Sequence, residues 1–423
     1  MMRAKTEQKV QRWRDQRWLM DSVIQAVGME WDQPRLGYTM YPAGPDAVAD
    51  FRMVGMRVRK FADIHREFAA AALRREIKAE AFDKQGRKVA ARESYFIAAM
   101  LYSAARWPIF ENNEKSIGYN ARMVACYDRF AALMNRPIER VEIPFGGKGR
   151  GSRPASLPGY LHLPRAPGPG EKFPCVIGID GMDGSKEIMC SMYGDKFLER
   201  GMAHFIYDGP GQGECTIREI FVTERNHADA AVAVCDWLAA HPHIDAKRIV
   251  LWGVSMGTFF GLQAAAALGE RLKGAAVAFV CHETGMNALM DMSSPSFKMR
   301  FMYMAGYDNE AKFDAFQKKF TLDPYAGRIK CPVLIQAGQD DELSPLEFTD
   351  ALLAKIKAPK KFVVYEGERH AIGGNNLSSY LGENWLTMIA DWCLDRIEGR
   401  QAPDERVFIN GLGQSSAVPY RRS

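Results

Sequence analysis

The sequence predicts an α/β protein, with a mostly parallel sheet of about eight strands behind an N-terminal helical domain. Apolar residues recur at three- and four-residue spacing before residue 140. After residue 140, short β-prone runs alternate with helix-length segments. A serine with a glycine two residues before it and another two residues after it lies between one run and the next predicted helix. We expect residues 1–140 to form the helical domain and 141–400 the α/β domain, with 286–325 as a candidate additional cap segment. Residues 401–423 are expected to be a C-terminal arm or disordered tail.

The helical spacing is seen in three stretches, 61–72, 95–102 and 123–134. Each would give a helix with one apolar face, and such a face needs a surface to pack against. We expect the helical domain to pack over the edge of the sheet that carries the serine.

Eight apolar runs rich in β-formers make up the predicted sheet. They are 141–145, 158–163, 174–180, 203–207, 249–252, 275–280, 332–336 and 361–365. The predicted helices between the later runs are 185–200, 227–241, 256–268 and 345–356. Strand–helix alternation favours a parallel sheet covered on both faces. Only the loop 146–157 joins the first two strands, so they should pair antiparallel at an edge.

Composition excludes several classes of protein. Of the 423 residues, 47% are hydrophobic and 25% charged, and the net charge is +5, as in ordinary globular proteins. No apolar stretch approaches the length of a membrane span, and the first 30 residues lack the apolar core of a signal peptide. The basic stretch 3–17 is interrupted by Glu7 and Asp15. We interpret it as a solvated helical face, so no nucleic-acid or membrane partner is expected.

The eight cysteines are widely spaced and form no C-x-x-C pair. This spacing indicates reduced, mostly buried thiols, as in a cytoplasmic protein, and neither a disulfide framework nor a zinc site. We expect no metal and no cofactor.

Residues 253–257 read Gly-Val-Ser-Met-Gly, a G-x-S-x-G pattern. The pattern alone is weak, but its context is specific, because the run 248–252 leads into it and the helix-forming segment 256–268 follows. A turn this sharp requires small residues two before and two after the serine. It would project the Ser255 hydroxyl at the start of a helix. Ser255 is the candidate nucleophile.

A serine nucleophile needs a base within hydrogen-bond reach. The chain has eight histidines, and His370 lies in the loop after the predicted strand 361–365, where it could fold over the serine. His282 follows the predicted strand 275–280 and could line the pocket instead. The acid that orients the base should follow the strand 332–336. Asp340, Asp341 and Glu342 are all available there, and the pattern does not choose between the two adjacent aspartates.

Two backbone N–H groups should stabilise the oxyanion that forms during attack on a carbonyl. One is that of Met256, directly after the nucleophile. The second should come from the glycine-containing loop after the strand 174–180. We choose Met182, with Gly181 and Asp183 as near alternatives.

The interval between the strands 275–280 and 332–336 is long and rich in Met and aromatic residues, most densely over 286–304. We interpret it first as a helical excursion with its own core contacts. It could also form a wall of the substrate pocket, for which flexible Met side chains are suited, and the two interpretations are compatible. The candidate pocket residues are His282, Glu283, Met286 and Tyr303.

Several segments together resemble the α/β-hydrolases. They are GVSMG, DGPGQGEC (208–215), GMDGSKE (181–187), AGQDDELSP (337–345), ERHAIGG (368–374) and ARESYFIAAMLYSAARWPIF (91–110). The sequence is most similar to the branch that contains 2,6-dihydroxypseudooxynicotine hydrolase, fungal polyketide-shortening hydrolases and related bacterial esterases. The resemblance implies a helical domain over the active site, often a homodimer, and a triad of Ser255, Asp341 and His370. It therefore favours Asp341 over Asp340.

The branch includes enzymes that cleave esters and enzymes that cleave C–C bonds next to a ketone. Our leading hypothesis is a serine esterase acting on small, largely apolar carboxylic esters. C–C bond hydrolysis is the alternative, and it would need an additional proton donor, for which His282, Glu283 and Tyr303 are candidates. A peptidase ranks lower, because residues 1–140 lack the repeated strands of a propeller. A non-catalytic binding protein is the hypothesis from another class, and an intact triad argues against it.

Overall fold

The computed structural model describes residues 11–29, 35–192, 194–373 and 384–420. Six helices come first and form what we call the helical region. They are α1 (Gln11–Val27), α2 (Arg35–Ala43), α3 (Val48–Arg57), α4 (Phe61–Lys84), α5 (Lys88–Arg106) and α6 (Glu114–Ala132). Helices α4, α5 and α6 pack side by side around a separate apolar core that includes Phe68, Phe96 and Phe130. The predicted helical periodicities fall on these three helices.

A sheet of ten strands follows. Its strands are β1 (Ile138–Lys148), β2 (Pro154–His162), β3 (Phe173–Ile179), β4 (Ala203–Tyr207), β5 (Ile244–Val254), β6 (Leu272–Ala278), β7 (Val333–Gly338), β8 (Lys360–Tyr365), β9 (Glu405–Ile409) and β10 (Ser415–Pro419). Their order is β1-β2-β4-β3-β5-β6-β7-β8-β9-β10. In this order, the seven neighbouring strands β4, β3, β5, β6, β7, β8 and β9 run parallel to one another. The first hairpin is antiparallel, as predicted, and pairs Ile138 with His162.

Helices cover both faces of the sheet. Alternate residues of each parallel strand point to opposite sides, so each face has its own apolar side chains to bury. Cys175, Ile177 and Ile179 face one core, whereas Val176 faces the other. The remaining helices are α7 (Gly213–Ile217), α8 (Asn226–Ala240), α9 (Met256–Leu268), α10 (Asn287–Met292), α11 (Pro295–Met304), α12 (Glu310–Gln317), α13 (Asp323–Ala326), α14 (Leu346–Lys355) and α15 (Trp385–Ile397). Three of the four helices predicted after residue 140 are therefore present, as α8, α9 and α14.

The C-terminal stretch was expected to be an arm or a disordered tail, and the structure shows an ordered arm. Strand β9 extends the parallel sheet beside β8 and buries Val407 and Ile409, and β10 pairs with β9. The predicted helix 185–200 does not form. Over the residues described there, the chain makes turns and one short 3-10 turn at Leu198–Arg200. Its polar side chains make tertiary contacts instead, since the Asp195 carboxylate accepts the backbone N–H groups of Phe197 and Leu198.

The helical region is joined to the sheet domain by direct hydrogen bonds. An Arg106 guanidinium nitrogen donates to the Gly213 carbonyl at 3.1 Å, and the Asn112 amide donates to the Thr216 carbonyl at 3.1 Å. On α6, the Met123 sulfur accepts from the Ser185 hydroxyl at 3.8 Å.

Directly after that serine lies a fully buried group of charges, the Lys186 cluster, formed by Lys186, Glu187, Asp208 and Glu214. The Lys186 ammonium is 2.7 Å from Glu187, 3.1 Å from Asp208 and 2.6 Å from Glu214. Burial alone would lower the pKa of Lys186, but the three carboxylates raise it above its usual value. For Glu214, burial opposes ionisation, and Lys186 and Arg140 still hold its pKa at about 2. For Glu187, burial outweighs the attraction of Lys186 and raises its pKa. The cluster thus combines an ionised Lys186–Glu214 pair with a buried carboxyl of raised pKa.

All eight cysteines are buried and none forms a disulfide. In the part of the chain that the model describes, no helix combines the length and the apolar character needed to cross a bilayer.

Candidate active site

Ser255, the candidate nucleophile, lies in a strained turn between β5 and α9. Ser255 has φ 55° and ψ −127°, a conformation that non-glycine residues rarely adopt. A Cβ on Gly253 would lie 2.3 Å from the Gly257 carbonyl oxygen, and a Cβ on Gly257 would lie 2.2 Å from the Ile179 carbonyl oxygen. Both flanking positions therefore require glycine. This is the physical reason for the G-x-S-x-G pattern.

Ser255, His370 and Asp341 form one hydrogen-bonded chain. The Ser255 Oγ lies 3.1 Å from the His370 Nε2, and the His370 Nδ1 lies 3.0 Å from the Asp341 Oδ2. The serine follows β5, the aspartate follows β7 and the histidine follows β8, so all three side chains meet at the carboxyl edge of the parallel strands.

The structure distinguishes the two adjacent aspartates. Asp341 is 3% exposed, and its second oxygen, Oδ1, accepts the backbone N–H groups of Leu343 and Ser344, each at 3.0 Å. Asp340 is exposed to solvent. Only Asp341 contacts the imidazole, and its carboxylate is fixed at both oxygens.

The charge environment favours a protonated imidazole. Burial of His370 disfavours its charged form, but the attraction and hydrogen bond of Asp341, with smaller contributions from Glu342 and Asp183, outweigh burial and raise its pKa. A raised pKa is compatible with the predicted role of His370 as a base, which would take a proton from the serine hydroxyl and later return it.

A cavity of about 390 Å³ adjoins Ser255. Four residues of α2 contribute to its wall, so the helical region reaches the site. Aromatic and aliphatic side chains dominate the lining, which includes Tyr38, Tyr41, Met182, Ile188, Met189, Phe197, Trp252, Phe279, Ile372, Trp385 and Leu386.

Aromatic rings form a continuous series along one side of the cavity. The ring centroids of Phe197 and Trp252 are 5.4 Å apart, those of Trp252 and Trp385 are 6.4 Å apart, and those of Trp385 and Phe279 are 4.7 Å apart. Phe279 then lies 6.3 Å from the imidazole of His370. The series leads from the cavity wall to His370.

Comparison with known proteins places the chain in a family. The family model described as "Esterase FrsA-like" matches residues 53–364, about three quarters of the chain. The chain belongs to the FrsA-like esterase family.

Individual relatives agree with this assignment. The chain is 29% identical over 317 residues to 2,6-dihydropseudooxynicotine hydrolase of Paenarthrobacter nicotinovorans, covering 73% of this chain and 78% of that protein. It is 32% identical over 216 residues to the alpha/beta hydrolase ucsC of an Acremonium species, covering 48% of this chain and 44% of the relative. The crystal structure of 2,6-dihydroxy-pseudo-oxynicotine hydrolase matches with a TM-score of 0.70 at 26% identity, over 87% of this chain and 97% of that chain. The predicted α/β-hydrolase fold and hydrolase class are confirmed.

In this FrsA-like hydrolase, two backbone segments border the serine. Met256 begins α9, where the first-turn N–H groups have no partner within the helix. The loop after β3 passes so close that a Cβ on Gly181 would lie 2.9 Å from the Ser255 Cβ. The Gly181 N–H already donates to its neighbour's carboxylate, the Asp180 Oδ1, at 2.6 Å. Among the alternatives for the second oxyanion donor, Gly181 is thus occupied.

The four candidate pocket residues do not line the cavity beside Ser255, as far as the described residues define it. His282 is fully buried, with its Nδ1 3.1 Å from the Thr349 hydroxyl, and burial lowers its pKa to about 3. Glu283 accepts the Ala288 N–H at the start of α10.

The other two candidates belong to the Met-rich segment. Met286 is in the core behind the sheet, and the Tyr303 hydroxyl donates to Asn112 of the helical region at 2.6 Å. The segment 286–304 is therefore a helical excursion that packs in the core, and it does not contribute to the described lining of the cavity beside Ser255.

One group of side chains has the composition of a metal site. Cys190, Asp195 and His204 are buried with their ligand atoms within 4.8 Å of one another, and His162 Nδ1 lies 3.6 Å from the Cys190 sulfur. The neighbours of the two histidines do not fit a metal. The indole N–H of Trp252 donates to the His204 Nε2 at 2.9 Å. The proton of His204 must then be on Nδ1, where it donates to Asp195.

The same reasoning applies to the second histidine of this group. A guanidinium nitrogen of Arg136 lies 3.1 Å from the His162 Nδ1. Arginine can only donate, so that ring nitrogen accepts a hydrogen bond from a cation and is a poor metal ligand. The group is explained as a hydrogen-bonded support for Trp252, which lines the cavity.

Sequence reasoning missed the residues that build the cavity. Trp252 lies near the carboxyl end of β5, and Phe279 directly follows β6. Because both strands were predicted, their carboxyl ends could have been expected to border the site. Tyr38 and Trp385 come from helices far away in sequence, and no local pattern distinguishes them.

Proposed function

We propose that this hydrolase cleaves carboxylic esters of small, largely apolar substrates through an acyl-enzyme. The observation that carries the proposal is the hydrogen-bonded chain from Ser255 through His370 to Asp341, at the edge of an apolar cavity.

In the proposed mechanism, the Ser255 Oγ attacks the ester carbonyl carbon while the His370 Nε2 takes the hydroxyl proton. Asp341 holds the proton on Nδ1 and stabilises the imidazolium that forms. The imidazolium then protonates the leaving alkoxide, and the acyl group stays on the serine. Water, activated by the same imidazole, releases the carboxylic acid.

The N–H groups of Met256 and Met182 are proposed to stabilise the negative oxygen of each tetrahedral intermediate. Both lie on backbone that adjoins the serine, one at a helix N-terminus and one on the loop that touches its Cβ. Donors fixed in advance stabilise developing charge without reorganising, which is usually the largest single contribution to such catalysis.

Hydrolysis of a C–C bond next to a ketone is the second candidate. The similarity to 2,6-dihydropseudooxynicotine hydrolase, which covers most of both chains, favours it, because the branch that the sequence resembles contains such enzymes. That reaction needs a proton donor for a carbanion equivalent. His282, Glu283 and Tyr303, the donors considered from the sequence, lie outside the cavity walls that the model describes. This supports the ester as the leading substrate class.

A paired turnover screen tests the proposal. Purified protein is given p-nitrophenyl esters of increasing acyl length in one series and aryl 1,3-diketones in the other, with Ser255→Ala as the control in both. We expect turnover of short esters that the control lacks. Turnover of diketones alone would establish the second candidate, and failure of a fluorophosphonate to label the wild-type protein would argue for a binding protein.

A further inference from the structure

The loop after β3 is held by a glutamine from another part of the fold. Gln212 lies between β4 and α7 and is 1% exposed. Its side-chain amide nitrogen donates to two successive carbonyls, that of Asp180 at 2.5 Å and that of Gly181 at 2.9 Å. Its amide oxygen accepts the Gly209 N–H at 3.1 Å. A backbone N–H can only donate, so the oxygen must face Gly209 and the orientation of the amide is determined.

These contacts fix the direction of the neighbouring N–H groups. In a trans peptide the C=O and the following N–H point in opposite directions. Since the carbonyls of Asp180 and Gly181 both face Gln212, the N–H groups of Gly181 and Met182 both point away from it. The Gly181 N–H is taken by the Asp180 carboxylate. Within the described part of the chain, the Met182 N–H has no protein acceptor.

A second contact fixes the next peptide. Arg300, on α11, is 1% exposed, and its Nε donates to the Met182 carbonyl at 3.1 Å. Three successive carbonyls are thus bound by two buried side chains from different elements.

The loop after β3 needs this restraint because residue 181 is a glycine. Residue 181 must be glycine, because any Cβ would press on the Ser255 Cβ. Glycine also accepts backbone angles that other residues do not, so the peptide between residues 181 and 182 could rotate. A rotated peptide would direct a carbonyl oxygen toward the negative oxygen of the intermediate, where a donor is required.

We propose that Gln212 is a positioning residue, which prevents this rotation and keeps the Met182 N–H directed at the reacting oxygen. The inference rests on the proposed function, because it assigns the loop to the oxyanion site of a Ser255-based hydrolase. Gln212 contacts neither substrate nor nucleophile in this role. It acts through the backbone of residues 180–182.

The chain offers a matched control. Gln263, on α9, is also 1% exposed, and its amide nitrogen also donates to a backbone carbonyl, that of Glu224, at 2.8 Å. Gln212→Met and Gln263→Met remove the same chemical groups from equally buried positions. Any general cost of burying Met in place of Gln should therefore appear in both variants.

The experiment measures kcat, KM and thermal stability with a p-nitrophenyl ester, and the inhibition constant of an aryl trifluoromethyl ketone, which forms a tetrahedral oxyanion adduct with an active-site serine. Removing an oxyanion donor outright reduces kcat by about 10²–10³. For a donor that is present but misdirected part of the time, we expect about a 10- to 100-fold loss in Gln212→Met. KM should change little, and the ketone should bind more weakly by the same factor as kcat/KM falls. Gln263→Met should stay within about threefold of wild type for both quantities.

A second variant covers the case in which Gln212→Met does not fold. Gln212→Glu keeps the acceptor for the Gly209 N–H. When ionised, it turns an acceptor in place of a donor towards the Asp180 and Gly181 carbonyls, so it should show the same loss or a larger one in both quantities. The positioning role is overturned if the Gln212 variants lose no more than Gln263→Met, or if their loss lies entirely in KM while ketone binding is unchanged.

Ser255→Ala, measured in parallel, separates the two levels of the argument. If that variant retains turnover, the proposed function itself fails. If it is inactive while Gln212→Met behaves like Gln263→Met, only the positioning role fails.

Discussion

Replacing Asp341 by Asn tests the orientation of the base in the proposed triad. The two carboxylate oxygens of Asp341 have different tasks, one facing the His370 Nδ1 at 3.0 Å and the other accepting the N–H groups of Leu343 and Ser344 at 3.0 Å. Asparagine has a single acceptor oxygen and an NH₂ group that only donates. With the imidazole proton on Nδ1, the variant can therefore satisfy only one of these two sides.

The hydrogen bonds decide which side is satisfied. If the NH₂ group faced Leu343 and Ser344, two buried N–H groups would lose their acceptor, at about 1–3 kcal/mol each. The amide oxygen should therefore stay with the backbone, and the NH₂ group should face His370. The proton of the imidazole must then move to Nε2, the atom that faces Ser255. An Nε2–H donates to the serine and cannot take its proton.

The expected result is a fall in kcat of about 10⁴, equivalent to about 5.5 kcal/mol of transition-state stabilisation, with KM little changed. The assay is steady-state turnover of a p-nitrophenyl ester at neutral pH. Asp340→Asn is the matched control, because the Asp340 side chain is exposed. The hydrogen bond from the Asp340 backbone N–H to the Glu368 carbonyl, at 2.9 Å, is unaffected by the change. This control should keep kcat within about twofold. The reasoning is refuted if Asp341→Asn keeps more than about a tenth of kcat, or if Asp340→Asn is the more damaging change.

Three further predictions concern the same site. Ser255→Ala should reduce kcat by about 10⁶ with an unchanged circular dichroism spectrum, and His370→Ala should match it; a tenth of the wild-type rate in a clean preparation would contradict the assignment of the nucleophile. Because the pKa of His370 is raised above 6.5 and the base must be neutral, kcat/KM should fall as the pH drops through a value above 6.5, whereas an acid limb at lower pH would mean that the environment of the imidazole is different. Tyr38→Ala, in the cavity wall, should change the ratio of kcat/KM values between short and long acyl esters, and Met56→Ala, which is 71% exposed on the same helical region, should not; equal effects would argue that the helical region does not shape the pocket.

The parts of the site that the sequence predicted are those governed by local sterics and chain order. The glycines around Ser255 are required by contacts within a few residues of the turn, or with the adjacent strand β3, so they leave a readable pattern. His370 and Asp341 follow the strands that chain order places near the nucleophile. The choice between Asp341 and Asp340 came from resemblance, because only the tertiary position of the imidazole distinguishes them.

The parts that the sequence did not predict depend on packing between distant segments. Nothing local to Tyr38 or Trp385 indicates that they share a cavity. The strand β9 buries only two hydrophobic side chains, Val407 and Ile409, and otherwise depends on backbone pairing with β8 and β10, so its short pattern resembles a tail. The segment 185–200 has a composition compatible with a helix, but its charged side chains are bound in the Lys186 cluster and around Asp195.

The Lys186 cluster has a consequence for how substrates enter and leave. Helix α6 packs on Ser185, directly beside the buried Lys186 cluster, and Arg106 binds the backbone next to Glu214. Lifting the helical region as a rigid body would break these bonds and admit water to the buried Lys186–Glu214 pair. Ligand exchange should therefore leave the helical region in place and use side-chain movements at the cavity wall, where Tyr41 of α2 is 66% exposed. Exposed side chains change rotamer on the picosecond to nanosecond scale, so the wall can rearrange there without a domain motion.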